Sequence, residues 1–150
     1  MTGSHAHAHG SAARTFRVRR GELRVLRDVA QWCQDATHGR GWSRGLCSDI
    51  DLALHEAISN VIRHGITDDR EHEVEVSIAN EATGACVELR DDADAFDPLA
   101  AAPAPPATSI EDAEPGGRGI LLLRAMTSEM RYEYTAGRNI LTLVFPLETA

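Results

Sequence analysis

Glu56 and Asn60 stand four residues apart in the stretch Leu52-Ala53-Leu54-His55-Glu56-Ala57-Ile58-Ser59-Asn60-Val61-Ile62-Arg63-His64-Gly65. On a helix that spacing stacks the two side chains one turn apart on a single face. A carboxylate and an amide so placed suit a hydrated cation: the amide oxygen ligates Mg2+ and the carboxylate acts as a base. The same pair turned to open solvent would have no chemistry, and the helix alone does not choose between the two. Two other groups bear on the choice. Asp91 opens the acidic run Asp91-Asp92-Ala93-Asp94-Ala95-Phe96-Asp97-Pro98, and Gly116-Gly117-Arg118-Gly119 stands directly before an apolar segment. Backbone N–H groups at a glycine-rich helix start are well placed to hold phosphate oxygens.

The elements that must position these groups follow from periodicity. Ile50, Ala53, Leu54, Ala57, Ile58, Val61 and Ile62 recur at helical steps and give the Glu56 helix one buried stripe. Ser43 or Ser48 caps its start and Gly65 closes its end. Upstream, Thr15-Phe16-Arg17-Val18-Arg19 alternates as an edge strand, and a helix is expected from Gly21 to about residue 37 with Leu23, Leu26, Val29, Ala30 and Cys33 on one face. His38-Gly39-Arg40-Gly41 ends that helix, with Trp32 and Trp42 as packing anchors at the corner. Glu73-Val74-Glu75-Val76-Ser77-Ile78 and Ala85-Cys86-Val87-Glu88-Leu89-Arg90 read as a hairpin whose second strand delivers Asp91. An Ala/Pro-rich loop follows, assigned to residues 97–116 as a lid and expected to be disordered without a ligand. Ile120-Leu121-Leu122-Leu123-Arg124-Ala125-Met126 is a short apolar helix, and strands at 131–134 and 139–145 close the chain around Ala136-Gly137. The fold class is α+β: a two-layer sandwich of a mixed, mostly antiparallel sheet with its helices on one face.

Composition bounds what such a domain can be. The 150 residues fit one domain, and 43% apolar with 25% charged residues are globular values. A formal charge of −8 argues against direct nucleic-acid binding. There is no lysine, hence no P-loop, so any nucleotide site is built another way. Cys33, Cys47 and Cys86 are widely spaced and read as reduced thiols rather than a disulfide frame or zinc site. No apolar run spans a bilayer and no signal peptide is visible, so the expected location is cytoplasmic with no membrane partner. His5-Ala6-His7-Ala8-His9, with its small neighbours, assigns residues 1–13 to a purification tag and 14–150 to the domain. The acidic runs at Asp68-Asp69 and 71–75 read as solvated faces.

Three boxes in order carry a resemblance. Glu56-Ala57-Ile58-Ser59-Asn60, ending in His64-Gly65, resembles the N-box of the Bergerat-type ATP-binding domain shared by gyrase, histidine kinases and MutL. Asp91 to Pro98 is similar to its D-x-G-x-x-F-D-P box, and Gly117-Arg118-Gly119-Ile120-x-Leu122 to its G-R-G box. Within that superfamily the chain looks most like the stand-alone serine kinases that act as bacterial anti-sigma factors, of the RsbW and SpoIIAB type, over roughly residues 15–147. The resemblance implies ATP and Mg2+ as cofactors, with Asn60 as the Mg2+ ligand and Glu56 as the catalytic base. It places Asp91 on the adenine amino group, and Gly117, Arg118, Gly119 and Ile120 around the phosphates. His64, Ala93 and Phe96 belong to the same nucleotide-binding boxes. Asp92 is an alternative adenine contact, which the Phe96-Asp97-Pro98 ending disfavours. Alanine replaces the family's glycine at Ala93 and again at Ala95, and a left-handed backbone at Ala93 would be strained.

The implied function is an ATP-dependent protein-serine kinase in a partner-switching system. It would sequester a sigma factor and phosphorylate a STAS-type antagonist on serine, and the resemblance also suggests a homodimer. A histidine kinase would need a phosphoacceptor helix pair, for which this length leaves no residues. The alternative is a docking module of the same fold that has lost catalysis and works by binding alone.

Overall fold

The structure, a computed structural model, describes residues 10–100 and 115–147, with side chains for 10–100 and 119–147. The element order is β1 (Ala12–Val18), α1 (Val25–Thr37), α2 (Arg44–Asn60), β2 (His72–Glu81), β3 (Gly84–Asp91), α3 (Pro115–Met126), β4 (Glu129–Thr135) and β5 (Arg138–Pro146). The strands form one sheet in the order β1-β2-β3-β5-β4. Every neighbouring pair is antiparallel, so no parallel pair of the expected mixed sheet occurs among the described strands. The chain leaves β3, passes through α3 and sets β4 at the far edge, and β5 then returns into the space between β3 and β4. That insertion makes Asp91 the cross-strand partner of Asn139.

Period-two alternation decides which sheet face meets the helices. Phe16, Val18, Val74, Val76, Ile78, Val87, Leu89, Leu141, Leu143 and Phe145 are buried on it. Ile50, Ala53, Leu54, Ala57, Ile58 and Ile62 meet them from α2 and the turn beyond it, as the stripe predicts. Trp32 packs edge-on to Phe16 at 6.0 Å, and Trp42 lies under the Arg40 guanidinium at 5.2 Å, so both tryptophans anchor the helix layer. Cys33, Cys47 and Cys86 are free; burial pushes the Cys33 thiol up to about 12. No helix among the described residues is long and apolar enough to cross a membrane.

Several boundaries move. Helix α1 starts at Val25 because Gly21, at φ +75°, sits in a turn closed by Glu22 N–H to Arg19 O at 3.1 Å; Leu23 lies outside the helix and is exposed. Ser43, not Ser48, caps α2, accepting from Leu46 N–H at 3.0 Å. Strand β1 begins at Ala12, within the stretch assigned to the tag, and pairs with Ile78; His5, His7 and His9 lie outside the described residues. Of the expected lid, residues 101–114 also lie outside them, and 115–116 already belong to α3. A two-residue turn joins β4 to β5, with Ala136 at φ 52° and Gly137 at φ 75°, the geometry that matches strand twist.

Gly84 opens β3 where a Cβ would lie 2.0 Å from the Phe145 carbonyl oxygen. Backbone cannot yield there as a side-chain tip can. Gly84→Ala is expected to lower the unfolding free energy by about 2 kcal/mol or more, read by urea denaturation.

Candidate functional site

Glu56 and Asn60 lie on the margin of α2, both half-buried. Neither side chain has a hydrogen bond or ion pair with the described residues, although each is capable of several. Their neighbour is α3. A Cβ built on Gly119 would lie 2.8 Å from Glu56 Oε2 and 3.8 Å from Asn60 Nδ2, so the glycine lets the α3 backbone come up against both. Helix α3 begins at Pro115, so Gly117, Arg118 and Gly119 lie in its first turns rather than in a loop before it. Pro115 has no N–H, and Gly116 and Gly117 in the first turn carry N–H groups that no carbonyl of the helix accepts. The Arg118 side chain is outside the described residues. Ile120 is buried in the core and fixes the helix beneath this end.

Asp91 is 5% exposed at the end of β3. Its Oδ1 accepts from Asn139 Nδ2 at 2.8 Å and from Ala93 N–H at 3.1 Å. Burial raises its pKa, while these two hydrogen bonds act to lower it. Asp92 points elsewhere: its Oδ1 accepts from Glu73 N–H at 3.0 Å and meets His72 Nδ1 at 3.1 Å. Asp91 is thus the carboxylate at the cavity. Asn139, which the sequence reading passed over, is the hub of this end of the sheet. It also donates to the carbonyls of Ala93 (3.3 Å) and Asp94 (3.0 Å), and accepts from Phe96 N–H (3.1 Å) and the Tyr132 hydroxyl. The one sequence signal was an asparagine in an otherwise apolar inward-facing register of β5.

The strain expected at Ala93 is absent. Ala136 is the non-glycine residue with positive φ among those described, so Ala93 keeps an ordinary backbone. Its methyl group is accommodated by Gly65, where a Cβ would lie 3.2 Å from it. Gly65 therefore serves close approach rather than a left-handed helix end. The chain runs from α2 through a π-helical turn, Val61–Gly65, and Gly65 O then accepts from Asp94 N–H at 3.0 Å. Ala95 is exposed.

Ala57, Asn60, Val61, Leu89, Asp91, Phe96, Pro98, Tyr132, Asn139 and Leu141 enclose a cavity of ≈ 30 Å3. That is room for about one or two waters, not for an aromatic base. Phe96 forms part of its wall, and His64 reaches it only through Phe96, stacked at 5.3 Å with the ring planes 20° apart.

A family model described as the histidine kinase-like ATPase domain matches residues 5–145. The chain belongs to that family. It is also similar to the serine/threonine-protein kinase BtrW of Bordetella bronchiseptica, 28% identical over 116 residues, which cover 77% of this chain and 82% of that one. The crystal structure of the RsbU and RsbW domains of Rv1364c from Mycobacterium tuberculosis superposes with a TM-score of 0.58 at 17% identity, covering 91% of this chain and 33% of that one. The histidine kinase domain of the blue-light activated histidine kinase EL346 from Erythrobacter litoralis gives 0.52 at 16% identity, over 83% of this chain and 60% of that one. These two likenesses bear on the fold, and this chain spans about a third of the mycobacterial structure and 60% of the Erythrobacter one. The α+β fold and the histidine kinase-like ATPase family are as the sequence implied.

A histidine kinase-like ATPase domain implies ATP binding, ordinarily with Mg2+. The residues fit such a cation. Asn60 offers an amide oxygen with no partner among the described residues, where no cluster of three or more His, Cys, Asp or Glu forms an all-protein cage either. Mg2+ usually takes one or two protein oxygens and completes its shell with water and phosphate.

His72 braces the site from behind. It is buried, with Nε2 2.7 Å from Asp68 Oδ1 and Nδ1 3.1 Å from Asp92 Oδ1. The Asp68 hydrogen bond, with the Asp92 bond behind it, raises its pKa against the opposing effect of burial. Asp68, bonded to His72 and then Arg70, is drawn down to about 2. A raised histidine pKa means the clamp is complete below the ordinary value of 6.5 and is lost as pH rises through the folded value. The Asp68 contribution is lost only as pH falls through about 2. Thermal stability is expected to decline as pH rises above 6.5, and His72→Gln to flatten that decline in melts at several pH values.

Proposed function

We propose that the protein is an ATP-dependent protein-serine kinase that works by partner switching. It binds a sigma factor in one state and phosphorylates a STAS-type antagonist on serine in another. The observation that carries this reading is the convergence of Glu56 and Asn60, side chains without a partner among the described residues, on the glycine face of α3. The 28% identity to a protein named a serine/threonine-protein kinase adds to it. In this reading Glu56 takes the proton of the substrate serine hydroxyl as its oxygen bonds to the γ-phosphorus and the bond from that phosphorus to the ADP oxygen breaks. Asn60 holds the Mg2+, whose charge offsets that of the phosphates. The N–H groups of Gly116 and Gly117 receive phosphate oxygens, and Asp91 takes the adenine amino group. Phosphoryl transfer needs this positioning and charge balance more than covalent chemistry.

A second reading, a docking module without catalysis, is favoured by the small ≈ 30 Å3 cavity. Calorimetric titration with MgATP separates the two. The kinase reading expects saturable binding that Asp91→Ala weakens about 10- to 100-fold, the worth of a hydrogen bond to a charged group. Absence of binding by the unaltered protein would leave docking alone. Transfer itself is read as phosphoserine on the antagonist that co-purifies with the protein. Glu56→Gln is expected to lower it about 10²- to 10⁴-fold while ATP still binds. Gly119→Ala is expected to fold normally, because the atom in its way is the movable end of Glu56. By displacing that carboxylate it should slow transfer by about 10-fold or more.

A further inference from the structure

We infer that Asn139 sets the base specificity of the pocket: by occupying one oxygen of Asp91 it leaves a single-oxygen acceptor suited to adenine and unsuited to guanine. The inference rests on the nucleotide-binding reading above and concerns a residue outside the three sequence boxes.

The orientation of the Asn139 amide is dictated by its partners. Every group at its oxygen is a donor, Phe96 N–H and the Tyr132 hydroxyl, and every group at its nitrogen is an acceptor, Asp91 Oδ1 and the carbonyls of Ala93 and Asp94. A flipped amide would set like against like at four of the five contacts, since of these groups only the Tyr132 hydroxyl can accept as well as donate. The nitrogen is therefore held on Asp91 Oδ1, where Ala93 N–H is a second donor. Two donors use both in-plane lone pairs of that oxygen. Asp91 Oδ2 has no hydrogen-bond partner among the described residues, and Asp91 is part of the cavity wall.

Guanine presents two adjacent donors on its pairing edge, N1–H and the 2-amino group, with O6 beside them. A carboxylate with both oxygens free grips such a pair in parallel, as it grips a guanidinium. With Oδ1 committed to Asn139 that grip is unavailable. The edge of adenine, one exocyclic amine beside an acceptor nitrogen, needs one acceptor oxygen, and Oδ2 supplies it. Asn139 thereby removes the guanine mode without touching the base itself. It is a positioning residue acting through Asp91.

The test measures dissociation constants for MgATP and MgGTP by calorimetry on the full chain, the Asn139→Asp and Asn139→Ala variants, with thermal melts to confirm folding. Asn139→Asp has the same shape and still accepts from Phe96 N–H and Tyr132, but has no amide donor for Asp91. The unaltered protein is expected to prefer ATP by about 10-fold or more at both pH 8 and pH 5.5. Asn139→Asp should keep that preference while the new carboxyl, whose proton the Asp91 carboxylate and two carbonyls hold on, still donates, and lose it as rising pH removes that proton. Asn139→Ala should lose it at both. An ATP-to-GTP ratio unchanged in the folded variants would reduce Asn139 to scaffold and overturn the inference while leaving the ATP site intact. Should neither variant fold, equal affinity of the unaltered protein for GTP and ATP would overturn it. Binding of neither nucleotide would overturn the nucleotide reading and this inference together.

Discussion

A carboxylate buried at the end of the central strand is the constraint on which the site depends. Removing an ionised carboxylate from water costs several kcal/mol unless hydrogen bonds replace the lost hydration. Asn139 and the Ala93 N–H are that replacement for Asp91. Because Asn139 lies on β5, the requirement joins β3 to β5 in a single register, Asp91 opposite Asn139. The remaining bonds of Asn139 then tie the 93–96 segment and Tyr132 of β4 to the same point. One amide organises the floor of the cavity, the strand beside it and the chain that covers it.

Helix α2 solves a different problem. Its stripe of Ile50, Ala53, Leu54, Ala57 and Ile58 is committed to the core, which fixes the rotation of the helix about its axis. Glu56 and Asn60 are then held at the boundary by a packing force that makes no use of their polar atoms. Uncommitted polar groups half-sunk beside a glycine are poor stabilisers and good ligands. The close approach at Gly119 extends the logic, since a side chain there would take the space beside Glu56. At the other end of α2 the π-helical turn brings Gly65 against Ala93, and the methyl group that looks intrusive in the acidic box finds room in a second glycine.

Phe96 and Pro98 form part of the cavity wall, and Phe96 is in turn backed by His64. That stack is not strong. An aromatic pair contributes about 0.5–1.5 kcal/mol beyond its buried area. A ligand bound at micromolar affinity brings about 8 kcal/mol. Displacing the Phe96 stack is therefore a modest tax on binding, and the alanines at 93 and 95 add no backbone strain to it. A small cavity and a nucleotide-binding role are compatible on energetic grounds.

The sequence by itself determined the order of elements, the face that α2 buries and the three boxes, because each rests on neighbours within a few residues of one another. Helical period placed Glu56 above Asn60, and the hairpin placed Asp91 at the end of its second strand. Tertiary structure alone decided three other matters. It set Asp91 in the cavity wall and turned Asp92 away, because Asp92 is drawn to His72 and Glu73 on a neighbouring strand. It gave Ala93 an ordinary backbone, and room for its methyl group beside a glycine 28 positions earlier. And it made Asn139 the partner of Asp91 across 48 positions of sequence, through a strand inserted between two others. Local propensity is written in adjacent residues. Hydrogen-bond partners and close approaches exist only once the sheet has set its register.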